Sequence, residues 1–163
     1  MPGNRLAWGI TSKYEISLVD PEANLTRKIA RDYIPRRIPD DYRTRILDLI
    51  PPQLKTSTRF CDEFPAFDFL CADDQGRLFV KTFDQDKETG QWLLNVFDEE
   101  GRYLTRAALA FPFETYIGQE GKLVIKAGKA YVKDNDKDGF PVIRRYKIVE
   151  ATRPAAPRKC AGS

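Results

Sequence analysis

A short phrase written twice limits what this chain can become. Gly76-Arg77-Leu78-Phe79-Val80-Lys81 matches Gly128-Lys129-Ala130-Tyr131-Val132-Lys133 position for position, 52 residues further on. In both copies a turn ends in glycine and hands over at once to an apolar strand. Self-similarity of this kind marks a supersecondary unit used more than once, because one such unit cannot bury its apolar face alone. The fullest copy places strands at 67–72, 77–83, 91–97 and 102–110. They are joined by Asp73-Asp74-Gln75-Gly76, by the acidic loop 84–90, and by Asp98-Glu99-Glu100-Gly101. Four short strands with turn signals between them read as one antiparallel meander.

The other copies are incomplete in complementary ways. The first begins at Arg5-Leu6-Ala7-Trp8, 72 residues before its match, and continues through YEISLVD (14–20) and Leu25-Thr26-Arg27 without a first strand. The third offers strands at 122–128, 129–134 and 141–149 and lacks a fourth; residues 151–163 read as a flexible tail. FDFLCA, RLFVKTF and WLLNVF carry large apolar groups on both faces, which is the pattern of strands covered on both sides. Four-stranded meanders stacked face to face are the blades of a β-propeller. The pattern therefore predicts an all-β chain of three such blades, half of a six-bladed propeller. The copies span about 5–30, 66–110 and 120–150 of a single partial domain, 1–150, interrupted by an insertion at 31–65.

Within that insertion, Tyr42, Ile46, Leu47, Leu49 and Ile50 predict a short amphipathic helix at 39–50. Asp40 is its expected N-cap and Pro51-Pro52 its stop. Arg31, Arg36, Arg37, Arg43, Arg45, Lys55 and Arg59 outnumber Asp32, Asp40, Asp41 and Asp48 around it by three.

Composition narrows the chemistry. The chain has no histidine, which removes Ser-His-Asp and Cys-His nucleophiles and His-ligated zinc. Its 27 basic and 24 acidic residues leave a net charge of +3, which by itself predicts no nucleic-acid partner. No apolar run approaches the roughly 18 residues of a spanning helix, and MPGNRLAWG lacks a signal-peptide layout. Cys61, Cys71 and Cys160 form no CxxC pair. Cys71, inside FDFLCA, reads as a small buried hydrophobe, and a Cys61–Cys71 disulfide stays open.

Two candidate sites stand out. Asp134, Asp136 and Asp138, followed by Gly139, match the start of a calcium loop, so Ca²⁺ is the one cofactor to consider. Val142 and Arg145 fall where the later ligands belong, however, and Asp84-Gln85-Asp86-Lys87-Glu88-Thr89-Gly90 repeats the acidic tip in the second copy. A solvated hairpin is the reading these residues favour. Arg36, Arg37, Arg43, Asp84 and Asp86 are the binding candidates, because the insertion and the 84–90 hairpin belong to one loop-bearing face. Trp8, Phe79, Trp92, Phe97, Tyr131 and Tyr146 recur at shared strand positions and are assigned to packing between blades.

The stretch from Pro51-Pro52-Gln53-Leu54 through FPAFDFLCADDQGRLFVKTF to DEEGRYLTR resembles bacterial six-bladed β-propeller proteins of the NHL/TolB-like kind. In these, an insertion ending in Pro-Pro-x-Leu precedes a phrase like FPAF…DDxGRLWV. The resemblance covers about residues 5–150 and corresponds to the C-terminal half of such a ring. It implies an exported, periplasmic protein. It also implies that the ring is completed by a second copy, the last blade of one chain meeting the first of the other, or by the missing half of a longer propeller. It supplies no activity. The expected function is a non-catalytic binding or scaffold module engaging a protein, peptide or glycan. The alternatives are a structural half-propeller and a metal-dependent lactonase-like hydrolase.

Overall fold

The structure is a computed structural model and describes residues 5–109 and 123–148. Ala110, the start of the third copy at 120–122, Cys160 and the tail 151–163 lie outside the described residues. Among the described residues, ten strands form three antiparallel sheets. Sheet 1 holds β1 (Leu6–Ile10), β2 (Glu15–Val19) and β3 (Leu25–Ala30) in that order. After helices α1 (Asp40–Leu49) and α2 (Pro52–Lys55) comes sheet 2, with β4 (Phe69–Ala72), β5 (Leu78–Gln85), β6 (Trp92–Phe97) and β7 (Tyr103–Ala108). Sheet 3 holds β8 (Leu123–Lys126), β9 (Lys129–Asn135) and β10 (Pro141–Lys147). The all-β class agrees with the sequence, and among the described residues so do the order of strands and their grouping into sheets of three, four and three.

One turn design makes most of these hairpins. At Asp73 the backbone N–H donates to Arg77 O (3.0 Å), and Gly76 N–H donates back to Asp73 O (3.2 Å). The Asp73 carboxylate meanwhile accepts from the N–H groups of Gln75 and Arg77. Asp98 and Asp136 repeat all four bonds with Glu100, Gly101 and Arg102, and with Asp138, Gly139 and Phe140. The carboxylate supplies an acceptor for turn N–H groups that no strand can pair. Glycine takes the left-handed position that closes the turn.

Sheet 2 lies between the other two. Along β5, Leu78 and Val80 join Tyr14, Ile16, Leu18 and Phe67 in one core, while Phe79 joins Leu123, Ile125, Ala130 and Val132 in the other. All of Leu78 to Thr82 is buried as a result. On β6, Leu94 and Val96 face sheet 3, and Phe97 faces sheet 1. This two-sided burial explains why these strands do not alternate in polarity. Burying each such Leu or Val side chain stabilises by about 1.5–3 kcal/mol.

Several expectations need correction. Pro39, not Asp40, is the N-cap of α1; it makes no side-chain cap bond, and Asp40 and Asp41 instead fill the first turn, facing the helix dipole's positive end. No residue of α1 is fully buried, and Leu49 is 56 % exposed. Its apolar stripe is laid over the surface and not inserted into a core. Pro51-Pro52 ends α1 and starts the one-turn α2, since proline suits a first helical position. Trp8 and Tyr131 do not pack between sheets, because each lies on a strand face turned away from sheet 2. Both Cys61 and Cys71 are free thiols.

Candidate functional site

The insertion is closed at its base by a short antiparallel contact. Arg37 bridges Glu63, Ile38 N–H donates to Asp62 O (2.9 Å), and Phe64 N–H donates to Arg36 O (2.8 Å). Tyr33 adds a hydroxyl bond to Phe64 O. These bonds fix Arg36 and Phe64 against the rim of sheet 2.

That rim is itself irregular. The pairing of β5 with β6 shifts between Lys81 and Gln85, so a bulge covers Thr82, Phe83 and Asp84. Bulges bend a strand and re-aim its side chains. Here the bend brings the Phe83 ring onto Phe64, stacked at 4.5 Å and 23°. Tyr42 meets Phe64 edge-on at 5.0 Å, and Trp92 meets Phe83 edge-on at 6.4 Å. Below them lies Lys81, buried and paired with Asp68, its ammonium 5.1 Å from the Trp92 ring and 5.5 Å from Phe83. A cation under two rings locks their positions.

Two adjoining cavities open on this aromatic wall. One, of about 380 Å³, is lined by Tyr14, Arg31, Ile34, Arg36, Phe64 and Asp84, among others. The second, of about 320 Å³, adds Tyr42, Arg45 and Trp92 and shares Arg36, Phe64 and Phe83 with the first. Both lie against the insertion, one on each part of this shared cleft wall. Asp84 sits between two guanidiniums, Arg36 and Arg106, each at 3.6 Å. Arg36 also donates to Phe83 O and lies 5.8 Å over the Phe64 ring. Ile34 lines the first cavity and is 84 % exposed.

The wall continues into the core through a polar chain. Asn95 is buried; its Nδ2 donates to the Tyr14 hydroxyl (2.9 Å), and its Oδ1 accepts from Arg106 Nε (3.3 Å). Burial pushes the Tyr14 hydroxyl up to about 12, against the opposing pull of the Asn95 bond.

Of the residues expected to bind, the structure brings together Arg36 and Asp84. Arg37 serves the base of the insertion, and Arg43 reaches Cys61 O (3.2 Å) and Asp62 (3.3 Å). Asp62 and Glu63 also belong to 31–65, which lowers the cationic surplus of the insertion from three to one. Asp86 is spent on its own hairpin, accepting from Glu88 N–H, Thr89 N–H and the Thr89 hydroxyl; the Thr89 backbone bond lowers its pKa first.

The calcium-like triplet is divided among other tasks. Asp134 pairs with Arg144 at 2.7 Å, and Asp136 accepts from two turn N–H groups. Among the described residues, no group of three acids, cysteines or histidines is arranged to hold a metal. Also among the described residues, no helix is long and apolar enough to cross a membrane.

Phe64, Phe83 and Ile34 escaped sequence reasoning. Their signal is a bulge and a chain crossing, neither of which has a local signature. No family model, curated protein or solved structure matches this chain.

Proposed function

We propose that the chain is a non-catalytic binding module whose cleft beneath the insertion takes an extended peptide segment of another protein. The carrying observation is that two cavities share one wall, made by Arg36, Phe64 and Phe83. A stacked aromatic wall, an exposed Ile34 and a mixed Arg36–Asp84–Arg106 charge set suit a ligand with apolar anchors and polar main chain. Binding energy concentrates where aromatics and arginines line a sheltered pocket. The three stacked sheets supply the rigid support, as the blades of a propeller would, and blade architecture remains our reading of them. Selecting a random peptide display library against the folded protein tests this. Selected peptides are expected to compete with one another and to lose binding with Ile34→Asp and with Arg36→Ala. Peptides indifferent to both substitutions would place the site elsewhere.

A second reading concerns assembly. The face of sheet 1 turned away from sheet 2 carries Leu6 (63 % exposed), Trp8 (49 %), Ile10 (65 %) and Leu25 (60 %). In sheet 2 the positions matching Leu6 and Trp8 are Leu78 and Val80, and both are buried against a neighbouring sheet. The repeat thus uses this face for stacking; the Glu15–Lys28 ion pair (2.7 Å) shares it, and the apolar side chains around that pair mark it as an interaction surface. Self-association through sheet 1 covers it. The ring-closing version, with sheet 3 of one copy on sheet 1 of the next, would press a cationic face on to these side chains. A two-fold contact of sheet 1 with sheet 1 avoids that cost.

A further inference from the structure

The register of sheet 3 sorts its side chains into rows. Lys126, Lys129 and Lys147 stand directly opposite one another across β8, β9 and β10. The next row is Val124, Tyr131 and Arg145, and beyond it Lys133 opposes Ile143. Residues opposite each other, and residues two apart on one strand, share a face. The alternate positions, Leu123, Ile125, Ala130 and Val132, are in the core with sheet 2. All eight residues of the rows therefore point outwards. Among the described residues, Lys126, Lys129, Lys133, Arg145 and Lys147 share that face with no carboxylate, and none of them pairs with an acid.

This charge does not help the fold. Like charges directly opposite on a sheet are destabilising, and neighbouring strands lie only about 4.8 Å apart. The equivalent face of sheet 2, with Phe79, Leu94 and Val96, is buried, and Lys81, at the position matching Lys133, is paired there with Asp68. At the position matching Phe79, sheet 3 carries Tyr131, half-buried between the Val124 and Arg145 positions. A net charge of +3 hides this face, because acids elsewhere in the chain balance it.

We propose that the outer face of sheet 3 binds single-stranded nucleic acid. The lysine row takes successive phosphates, and the Tyr131 ring, with the Arg145 guanidinium beside it, offers a platform on which an unpaired base stacks. A duplex hides the base faces that Tyr131 would use. An anionic bilayer would engage the lysines and leave the ring without a task.

The test is fluorescence anisotropy with labelled oligo(dT) and oligo(rU) of about 12 nucleotides, a length within the range one sheet platform covers. Binding is expected to weaken with salt, by a log–log slope of about −0.7 for each phosphate neutralised. Lys129→Glu should weaken it at least tenfold and flatten the slope by about 0.7. Tyr131→Leu should cost about tenfold and leave the slope alone, with Tyr131→Phe restoring affinity. Lys129→Gln should bind more weakly yet melt higher without ligand, which separates the role of the lysine from damage to the fold. Ile34→Asp, in the cleft, should bind as the parent does. Absence of binding at low salt overturns the proposal. So does equal affinity for dextran sulfate or for phosphatidylserine vesicles together with indifference to Tyr131→Leu.

Discussion

Tyr14 and Cys71 are the two side chains whose protons report most directly on burial. Burial lifts the Tyr14 hydroxyl from 10.0 to about 12 and the Cys71 thiol from 9.0 to about 12, the latter with help from Asp73. In both, the folded state holds its proton at pH values where the unfolded chain has lost it. Their stabilising contribution is therefore complete below pH 9 and declines as pH rises from about 9 to 12. Denaturant melts across that range should show falling stability, and Tyr14→Phe should flatten the part above pH 10. The same burial makes the thiols unequal: a maleimide at neutral pH should label Cys61, which is exposed, and spare Cys71 until the protein unfolds. Lys81→Met should cost about 3 kcal/mol in chemical denaturation, because it leaves the Asp68 carboxylate without its buried cation. Burial of Leu78 and Val80 was legible from their shared motif. The stack of Phe64 on Phe83 was not, since it depends on a strand bulge meeting a distant segment.

Strands were easier to read than the segment between them. Each strand of sheet 2 begins and ends within two residues of its expected place among the described positions, because an Asp-x-x-Gly turn marks half of its ends. The insertion has no such punctuation at its base, where Arg36–Ile38 meets Asp62–Phe64 through backbone bonds that any side chains would allow. The turn design itself makes a graded prediction. Asp20 builds the same hairpin, with Ala23 at φ 64° where the others have glycine. Ala23→Gly should raise stability by about 1 kcal/mol, by relieving left-handed strain at a residue with a Cβ. Gly101→Ala should cost more than Gly139→Ala: both are left-handed, but a Cβ at 101 would meet Ile29 Cγ1 at 2.9 Å, and one at 139 would meet nothing within 4 Å. Thermal melts of the three variants decide the order. Asp136→Ala should weaken its hairpin equally with and without millimolar Ca²⁺, as its carboxylate is held by the N–H groups of Asp138 and Phe140.

For the molecule as a whole, three sheets stacked with sheet 2 in the middle leave two outer faces, and these differ in kind. One is cationic and suited to water or a polyanion; the other presents Leu6, Trp8, Ile10 and Leu25. Composition could not show the difference, because it emerges only once pairing register assigns each residue to a face. The match of Leu6 and Trp8 to Leu78 and Val80 was legible, and with it the expectation that sheet 1 stacks on something. Mass in solution reads most directly whether it does. Light scattering on the purified chain should give twice 18.7 kDa, falling to a folded particle of 18.7 kDa when Trp8→Glu places a charge on the sheet 1 face. A stable, well-folded parent protein at 18.7 kDa across micromolar concentrations would contradict it.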